Sequence, residues 1–367
     1  MKRISVASPY LNGNEKEYVM DCIDSTWISS GGKYISKFEK MFAEFCGTQY
    51  AASCCNGTVA LHLALLALGV KECDEVIMPV ITYIATANAV KYVNAKPIFV
   101  DIDRETWNID VKKIEKKITE NTKAIIVVHL YGNPVDMDGI LKIAHKHNLY
   151  VIEDAAEAHG ATYRGKKVGS IGDVGTFSFF GNKVITTGEG GMIITNNEEL
   201  DNKIRLLKGQ GVDMDKRYWH LVVGYNYRMT NIEAAIGLGQ LEKVNEHIQK
   251  RIEIRKQYEE ILFPYREYIE FQKDTKESKS INWMTSILFK DVVTEERDVI
   301  IDKMQELGIE TRPVFYPVNQ MPPYKDNDEY PVAEYIASRG INLPTHSLLD
   351  VDDIKYICNK LIYILNL

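Results

Sequence analysis

The 367-residue chain lacks the marks of several protein classes at once. No apolar run is long enough to span a bilayer. The opening stretch, MKRISVASPYLNGNEKEYV, starts with charge but has no apolar core of the kind a signal peptide needs. A cytoplasmic protein with no membrane partner is therefore expected. Positive charge is also in deficit, with 44 Lys and Arg against 51 Asp and Glu for a formal net charge of -7. With no basic run to offset it, that balance argues against nucleic acid as a partner. Cysteines are few and irregularly placed, at Cys22, Cys46, Cys54, Cys55, Cys73 and Cys358. They fit neither a disulfide scaffold nor a zinc site, and adjacent Cys54 and Cys55 are wrong for an ordinary bridge. They read as reduced packing thiols. His145 and His147 lie on different faces of a predicted helix, so no metal site is expected. Internal repeats and low-complexity tails are missing too.

What remains is the composition of an ordinary globular protein, 45% apolar and 26% charged. The length exceeds what one core usually serves, which predicts two unequal domains. From about residue 33 to 196, helix and strand patterns alternate. ISKFEKMFAEFCG has helical spacing and stops at Gly47, and VALHLALLALG is an apolar helix ending at Gly69. YAASCC, DEVIMP, KPIFVDI, KAIIVVHL, YVIEDA, GTFSFF and GMIITN read as short strands. Most are apolar on both faces, as in a mainly parallel sheet covered by helices. TYIATANAVKYV and MDGILKIAHKHN fill gaps between them as helices. This is an α/β doubly wound pattern, in which ligands bind beyond the carboxyl ends of the strands. At Thr230-Asn231-Ile232-Glu233 a capping-box spacing opens a long predicted helix, residues 232–262. It leads to a smaller C-terminal α+β part containing the strand WMTSILF, a helix near 295–307, extended ETRPVFYP and the helix DDIKYICNKLIYIL. The expected boundary is 1–245 for the large domain and 246–367 for the small one.

The segment from Glu153 to Thr195 carries the chemistry. Asp154 ends the strand YVIE, and Lys183 lies in a short loop after GTFSFF, followed by the turn TTGEGG. Pyridoxal phosphate catalysis needs this pair: a lysine to form the Schiff base and a carboxylate to keep the pyridinium nitrogen protonated. An isolated pair would read as a surface lysine and a structural aspartate, so the companions matter. Asn56-Gly57-Thr58 opens a helix after a strand, where free amides attract an anion and glycine admits close approach. Ser178, on the strand leading to the lysine loop, is either a phosphate-binding hydroxyl or an ordinary strand serine. Tyr83 follows DEVIMP at the same edge, as a ring to stack on the cofactor or as core. Glu157, three residues after Asp154, is a group near the cofactor's 3′-oxygen or a solvated loop carboxylate. Together these signals point to one site on one sheet edge.

NGTVALHLAL, EDAAEAHG, GDVGTFSFFGNKVITTGEGGMI, YNYRMTNIEAAIG and RGINLP resemble the DegT/DnrJ/EryC1/StrS sugar aminotransferases over nearly the whole chain. The resemblance implies the aspartate aminotransferase type I fold, an internal aldimine at Lys183 and the pyridinium partner at Asp154. It also implies phosphate contacts from Gly57, Thr58 and Ser178, and a stacking ring at Tyr83. Asn226 would reach the phosphate of the neighbouring subunit, so a homodimer with shared sites is expected. Related sugar 3-dehydratases carry histidine at the Schiff-base position, and Lys183 argues against that chemistry. DSTWISSGGKYISKFE, SFFGNK, LLKGQGV, RYWH and ETRPVFYPV resemble the branch that moves the amino group of L-glutamate to C4 of GDP-4-keto-6-deoxy-D-mannose. Glu157, where the wider family usually has glutamine, agrees with that branch. Val184, where threonine is commoner, leaves the amine intact. Other nucleotide-sugar aminotransferases, of the UDP-viosamine or 3-amino-sugar type, stay open, as does a cofactor-binding regulator without turnover. Candidate substrate contacts are Trp27, Ser29, Tyr218, His220, Arg312 and Tyr316; Arg312 could equally form an interdomain salt bridge.

Overall fold

The computed structural model describes residues 3–213, 215–292 and 294–367. The chain opens with helices α1 (Glu15–Asp24) and α2 (Lys33–Cys46), then strand β1 (Tyr50–Cys54) and helix α3 (Gly57–Ala67). β2 (Glu75–Pro79), α4 (Ala85–Tyr92), β3 (Lys96–Val100), α5 (Val111–Ile114) and β4 (Thr122–Val128) follow. Then come α6 (Met137–His147), β5 (Tyr150–Asp154), the short β6 (Thr162–Tyr163) and β7 (Lys166–Lys167), β8 (Val174–Ser178), β9 (Gly191–Thr195) and α7 (Glu198–Lys208). The seven-stranded sheet has the order β1-β9-β8-β5-β4-β2-β3. β3, β2, β4, β5 and β8 run parallel, and β9 is antiparallel to both of its neighbours. Two antiparallel pairings through β9 leave β1 running in the same sense as β8. The carboxyl ends of β1, β2, β4, β5 and β8 therefore share one edge.

Side-chain pattern explains these elements. In α2, Tyr34, Phe38, Phe42 and Cys46 recur at i+4 and are all buried, and Gly47 ends the helix at φ 77°, where a Cβ would be strained. α3 is apolar and buried almost all round, as suits a helix lying inside the molecule rather than on its surface. β8 and β9 are buried at every position, which the crowded faces of a covered sheet require.

The predicted helix over 232–262 is two helices, α8 (Asn231–Glu242) and α9 (Val244–Leu262). The capping box is present: Thr230 N–H donates to Glu233 Oε2 at 2.7 Å, and Glu233 N–H to Thr230 Oγ1 at 3.3 Å. The break falls at Lys243, with φ -108° and ψ 3°. α8 packs on α1 and α2, whereas α9 packs on the last helix, so the chain must change direction between them. Beyond α9 lie β10 (Ile269–Phe271), β11 (Ser278–Lys279), β12 (Thr285–Phe289), α10 (Thr294–Glu306), β13 (Arg312–Pro313), α11 (Pro331–Arg339), β14 (Gly340–Leu343) and α12 (Val351–Ile364). A second, antiparallel sheet has the order β10-β12-β14-β13, and β11 pairs with β6 instead.

The apolar interior forms two clusters. One surrounds the large sheet and includes Phe38, Leu63, Ile126, Ile152 and Phe177. The other, with Ile254, Tyr258, Ile287, Met304, Leu343 and Ile357, lies under the second sheet. α9 passes from Val244 in the first cluster to Ile254 in the second.

Candidate active site

A cavity of about 480 Å³ opens at the carboxyl edge of the large sheet. Gly57, Thr58, Tyr83, Asp154, Glu157, Ser178, Lys183 and Arg312 all line it. Its two ends differ in chemistry. At one end α3 begins, and Asn56 caps it by accepting the Val59 N–H at 3.0 Å. The amides of Gly57 and Thr58 belong to the first turn, where the helix supplies no acceptor. Gly57 is required by proximity: a Cβ there would meet Ser178 Cβ at 2.7 Å. Glycine thus lets the helix start touch the end of β8, and donors from two elements face one point.

At the other end Asp154 closes β5, buried between β4 and β8. Its Oδ2 accepts from Thr86 Oγ1 at 2.8 Å, and its Oδ1 from the Ala156 N–H at 3.3 Å. Thr86 shares a second hydrogen bond, 2.8 Å, with Thr82 Oγ1. Burial pushes the Asp154 carboxyl above its usual range, and these donors and Lys183 offset it only in part. Among the described residues no cation lies within ion-pair distance of Asp154. A buried carboxylate without a cation is the partner that a pyridinium N–H requires.

Lys183 lies between the two ends. Its Nζ is 3.8 Å from Glu157 Oε1 and 4.0 Å from the centre of the Trp283 ring. Burial pushes the amine below its usual range, against the pull of Glu157 and Asp154. A lysine so placed holds a larger share of the neutral, nucleophilic form. Glu157 is pushed up to about 7 by burial, with Lys183 and the Tyr131 N–H opposing. That N–H donates to Glu157 Oε2 at 2.8 Å, and it is aimed there by a left-handed backbone at Tyr131 (φ 55°, ψ 21°). Aromatic residues avoid this conformation, so the surrounding packing must enforce it.

Four participants were not singled out from the sequence. Trp283 arrives from the segment before β12; its Nε1 donates to Asn182 O at 2.8 Å and its N–H to Tyr131 O at 2.9 Å. Its ring lies near-parallel to Tyr131, at 21° and 6.2 Å. Thr86 and Tyr131 were hidden in a helix start and a strand end. Asn182, next to the lysine, presents a buried Oδ1 that has no protein partner. Such an orphaned acceptor on the cavity wall, the two-element donor cradle and the cation-free Asp154 all suit a phosphorylated pyridine. The residues present fit pyridoxal phosphate.

The remaining candidates, apart from Arg312, lie elsewhere in the single chain. Asn226 is exposed and accepts from Arg228 Nη2 at 3.0 Å. Trp27 and Ser29 belong to an exposed loop that Asn231 fastens, its N–H donating to Ser29 O at 2.7 Å and its Nδ2 to Trp27 O at 2.7 Å. Tyr218 is 80% exposed, and His220 Nδ1 lies 2.8 Å from Gln210 O. Tyr316 is outside the cavity lining, its hydroxyl accepting from Arg297 Nη2 at 3.2 Å. Arg312 pairs with nearby Glu310 at 3.0 Å, and it still reaches the cavity mouth.

Residues 9–362 match the model of the DegT/DnrJ/EryC1/StrS aminotransferase family. The chain belongs to that family. It is therefore an aminotransferase, an enzyme that works with pyridoxal phosphate, as the lysine and aspartate pattern anticipates. GDP-perosamine synthase of Caulobacter vibrioides is 53% identical, with 96% of each chain covered. GDP-perosamine synthase of Escherichia coli O157:H7 is also 53% identical, with 98% of each covered. Among solved structures, the PLP form of the putative sugar aminotransferase Spr1654 from Streptococcus pneumoniae superposes with a TM-score of 0.95 at 28% identity. That match covers 100% of this chain and 99% of the other. The fold is that of the type I pyridoxal phosphate enzymes, with the mainly parallel sheet expected from the strand pattern.

Proposed function

We propose that this aminotransferase moves the amino group of L-glutamate to C4 of GDP-4-keto-6-deoxy-D-mannose, giving GDP-perosamine and 2-oxoglutarate. The observation that carries the reading is the 53% identity, along nearly the whole chain, to two proteins named for that product. Glu157 in the cavity supports it, since the resemblance at that position is to the same branch.

Pyridoxal phosphate, when bound, supplies a ring that takes up the electron pair released at the amino-bearing carbon. The chain's own residues do the rest. Asp154 holds a proton on the ring nitrogen through its carboxylate, which Thr86 orients. Gly57 and Thr58 amides and the Ser178 hydroxyl would hold the phosphate, and Tyr83 would cover the ring. Lys183 Nζ would hold the cofactor covalently and, as a free amine, would take the proton from the substrate carbon and deliver it across the site. Glu157 would meet the ring's 3′-oxygen, and its charge opposes the burial that lowers the Lys183 amine. Asn226 completes the phosphate grip from a second copy, so a homodimer is the working unit. Arg312 lines the cleft and is the contact proposed for the sugar nucleotide, whereas Trp27, Ser29, Tyr218, His220 and Tyr316 lie outside the cavity of a single chain. The division at 245/246 and a cytoplasmic location belong to the same reading. No helix among the described residues is long and apolar enough to cross a membrane.

The test is a mass-resolved product assay with pyridoxal phosphate and glutamate, run in parallel on GDP-4-keto-6-deoxymannose and UDP-4-keto-6-deoxyglucose. Amination of the GDP sugar alone is expected. Amination of the UDP sugar alone would overturn the substrate while keeping the cofactor roles. Reaction with neither would remove the proposed substrate class.

A further inference from the structure

Away from the active site, α9 carries a buried cation with no counter-charge. Arg251 is 2% exposed, and its charge lies on the seam between the two apolar clusters. Its guanidinium has five N–H donors, and burial of such a group is tolerated only when they are satisfied. Among the described residues its one side-chain hydrogen bond is a long one, Nη1 to Ser347 Oγ at 3.4 Å, and its Nε has no partner. Among the described residues it forms no ion pair.

Two more polar groups converge on the same place. His247 precedes Arg251 by one helical turn and is equally buried; its Nδ1 lies 3.2 Å from the same Ser347 Oγ, and its Nε2 has no partner. His346, the neighbour of Ser347, is 5% exposed with both ring nitrogens unpartnered. The Ser5 main chain faces it without reaching hydrogen-bond geometry. Arg251 and His247 thus leave buried polar atoms unsatisfied around one serine hydroxyl, and His346, whose ring the Arg251 charge reaches, adds two more beside them. Buried polar groups in folded proteins are almost always paired, so this grouping needs a ligand.

The surrounding carboxylates are engaged elsewhere. Glu246 pairs with Lys243 at 2.8 Å. Glu15 accepts from Gln240 Nε2 at 2.5 Å and from the Gly13 N–H at 2.9 Å. Asp353 accepts the Asp350 N–H at 3.3 Å in the capping box of α12. Water alone could satisfy the hydrogen bonds but would leave the guanidinium charge uncompensated in a buried setting.

We infer that Arg251, His247, His346 and Ser347 form a binding site for a small inorganic anion of the chloride class at the seam of the two cores. Arg251 supplies the charge and Nε–H, His247 its Nε2–H while its Nδ1 accepts from the Ser347 hydroxyl, and His346 one N–H. Both histidines are held neutral: burial and the Arg251 charge push His346 down to about 4 and His247 below its usual value. Enclosure by side chains this buried selects a monatomic ion over a polyatomic one.

The experiment is thermal unfolding of the full chain, saturated with pyridoxal phosphate, in sodium chloride against sodium gluconate at constant ionic strength. A site filled only in the folded state should raise the Tm by about 2 °C per decade of chloride above the Kd. Arg251→Met should lose this dependence. Should that variant fail to fold, bromide-exchanged crystals of the unaltered protein give a second readout: an anomalous peak beside Arg251 Nε is expected. Equal Tm in the two salts, chloride dependence retained in Arg251→Met, or an anomalous map without that peak would each overturn the assignment.

Discussion

Replacing Glu157 with glutamine isolates the electrostatics of the cavity in a protein free of cofactor. The Glu157 carboxyl moves from an ordinary 4.5 to about 7 on folding, with burial as the main cause. Between those pH values the folded chain holds a proton that the unfolded chain releases. Stability contributed by that proton is therefore present below pH 4.5 and is lost as pH rises through 7. The size of the loss is ~3 kcal/mol, from about 1.4 kcal/mol for each tenfold change in proton affinity. Glutamine has the same shape and no charge to expose, so Glu157→Gln escapes the loss. Lys183, 3.8 Å away, does not reverse the sign. Burial already pushes its amine down, and without the Glu157 charge it releases its proton sooner instead of remaining as a stranded cation. Paired thermal scans of the two apoproteins at pH 5 and pH 8 measure the effect. The Tm of the variant relative to the parent should rise between these pH values by about 3 °C. Other titrating groups cancel in the comparison as long as they do not touch Glu157. A difference that stays constant with pH, or shrinks toward pH 8, would show that burial does not control this carboxyl.

Two further outcomes test the scaffold. Gly57→Ala places a Cβ 2.7 Å from Ser178 Cβ, so the helix start must move away from β8; pyridoxal phosphate affinity, followed by absorbance titration, should fall by about tenfold or more for the loss of one to two kcal/mol. Glu39 in α2 accepts from Lys208 Nζ at 3.1 Å, Arg205 Nη1 at 2.9 Å and Ser53 Oγ at 2.7 Å. Glu39→Ala leaves Lys208 buried beside an unpaired site, and urea unfolding should show a loss of about 3 kcal/mol or more.

The residues at the carboxyl edge of the sheet were legible because a strand's apolar run also marks where it ends. YVIE can be followed only by the residue that emerges at the edge, and that residue is Asp154. Asn56-Gly57-Thr58 was readable in the same way, as a polar turn between an apolar strand and an apolar helix. Lys183 needed only the closing turn TTGEGG after GTFSFF. Each of these signals is local, spanning a few residues. The break at Lys243 has no such signal: no glycine or proline interrupts QLEKVNEH, and the helical pattern runs through it. The helix parts there because its two halves pack against different cores, a tertiary cause that overrides local propensity.

The same distinction separates the cavity's two kinds of residue. Asp154, Ser178 and Lys183, at or just beyond strand ends, could be named from the chain, whereas Trp283, which reaches the cavity from the segment beyond α9, could not. Trp283 lies a hundred residues after Lys183 and, before a strand, reads as core. It meets the lysine only because its N–H and indole are tied to Tyr131 and Asn182. Arg251 makes the point more sharply. In EHIQKRIEIRKQ it is one basic residue among several, and helical spacing gives no reason to single it out. Its burial comes from Ser347 and His346 arriving nearly a hundred residues later. A charge pattern therefore reports which residues can be buried only after the fold has decided which face of α9 is enclosed. Local sequence can name groups that a strand end presents; it cannot name groups that two distant segments trap between them.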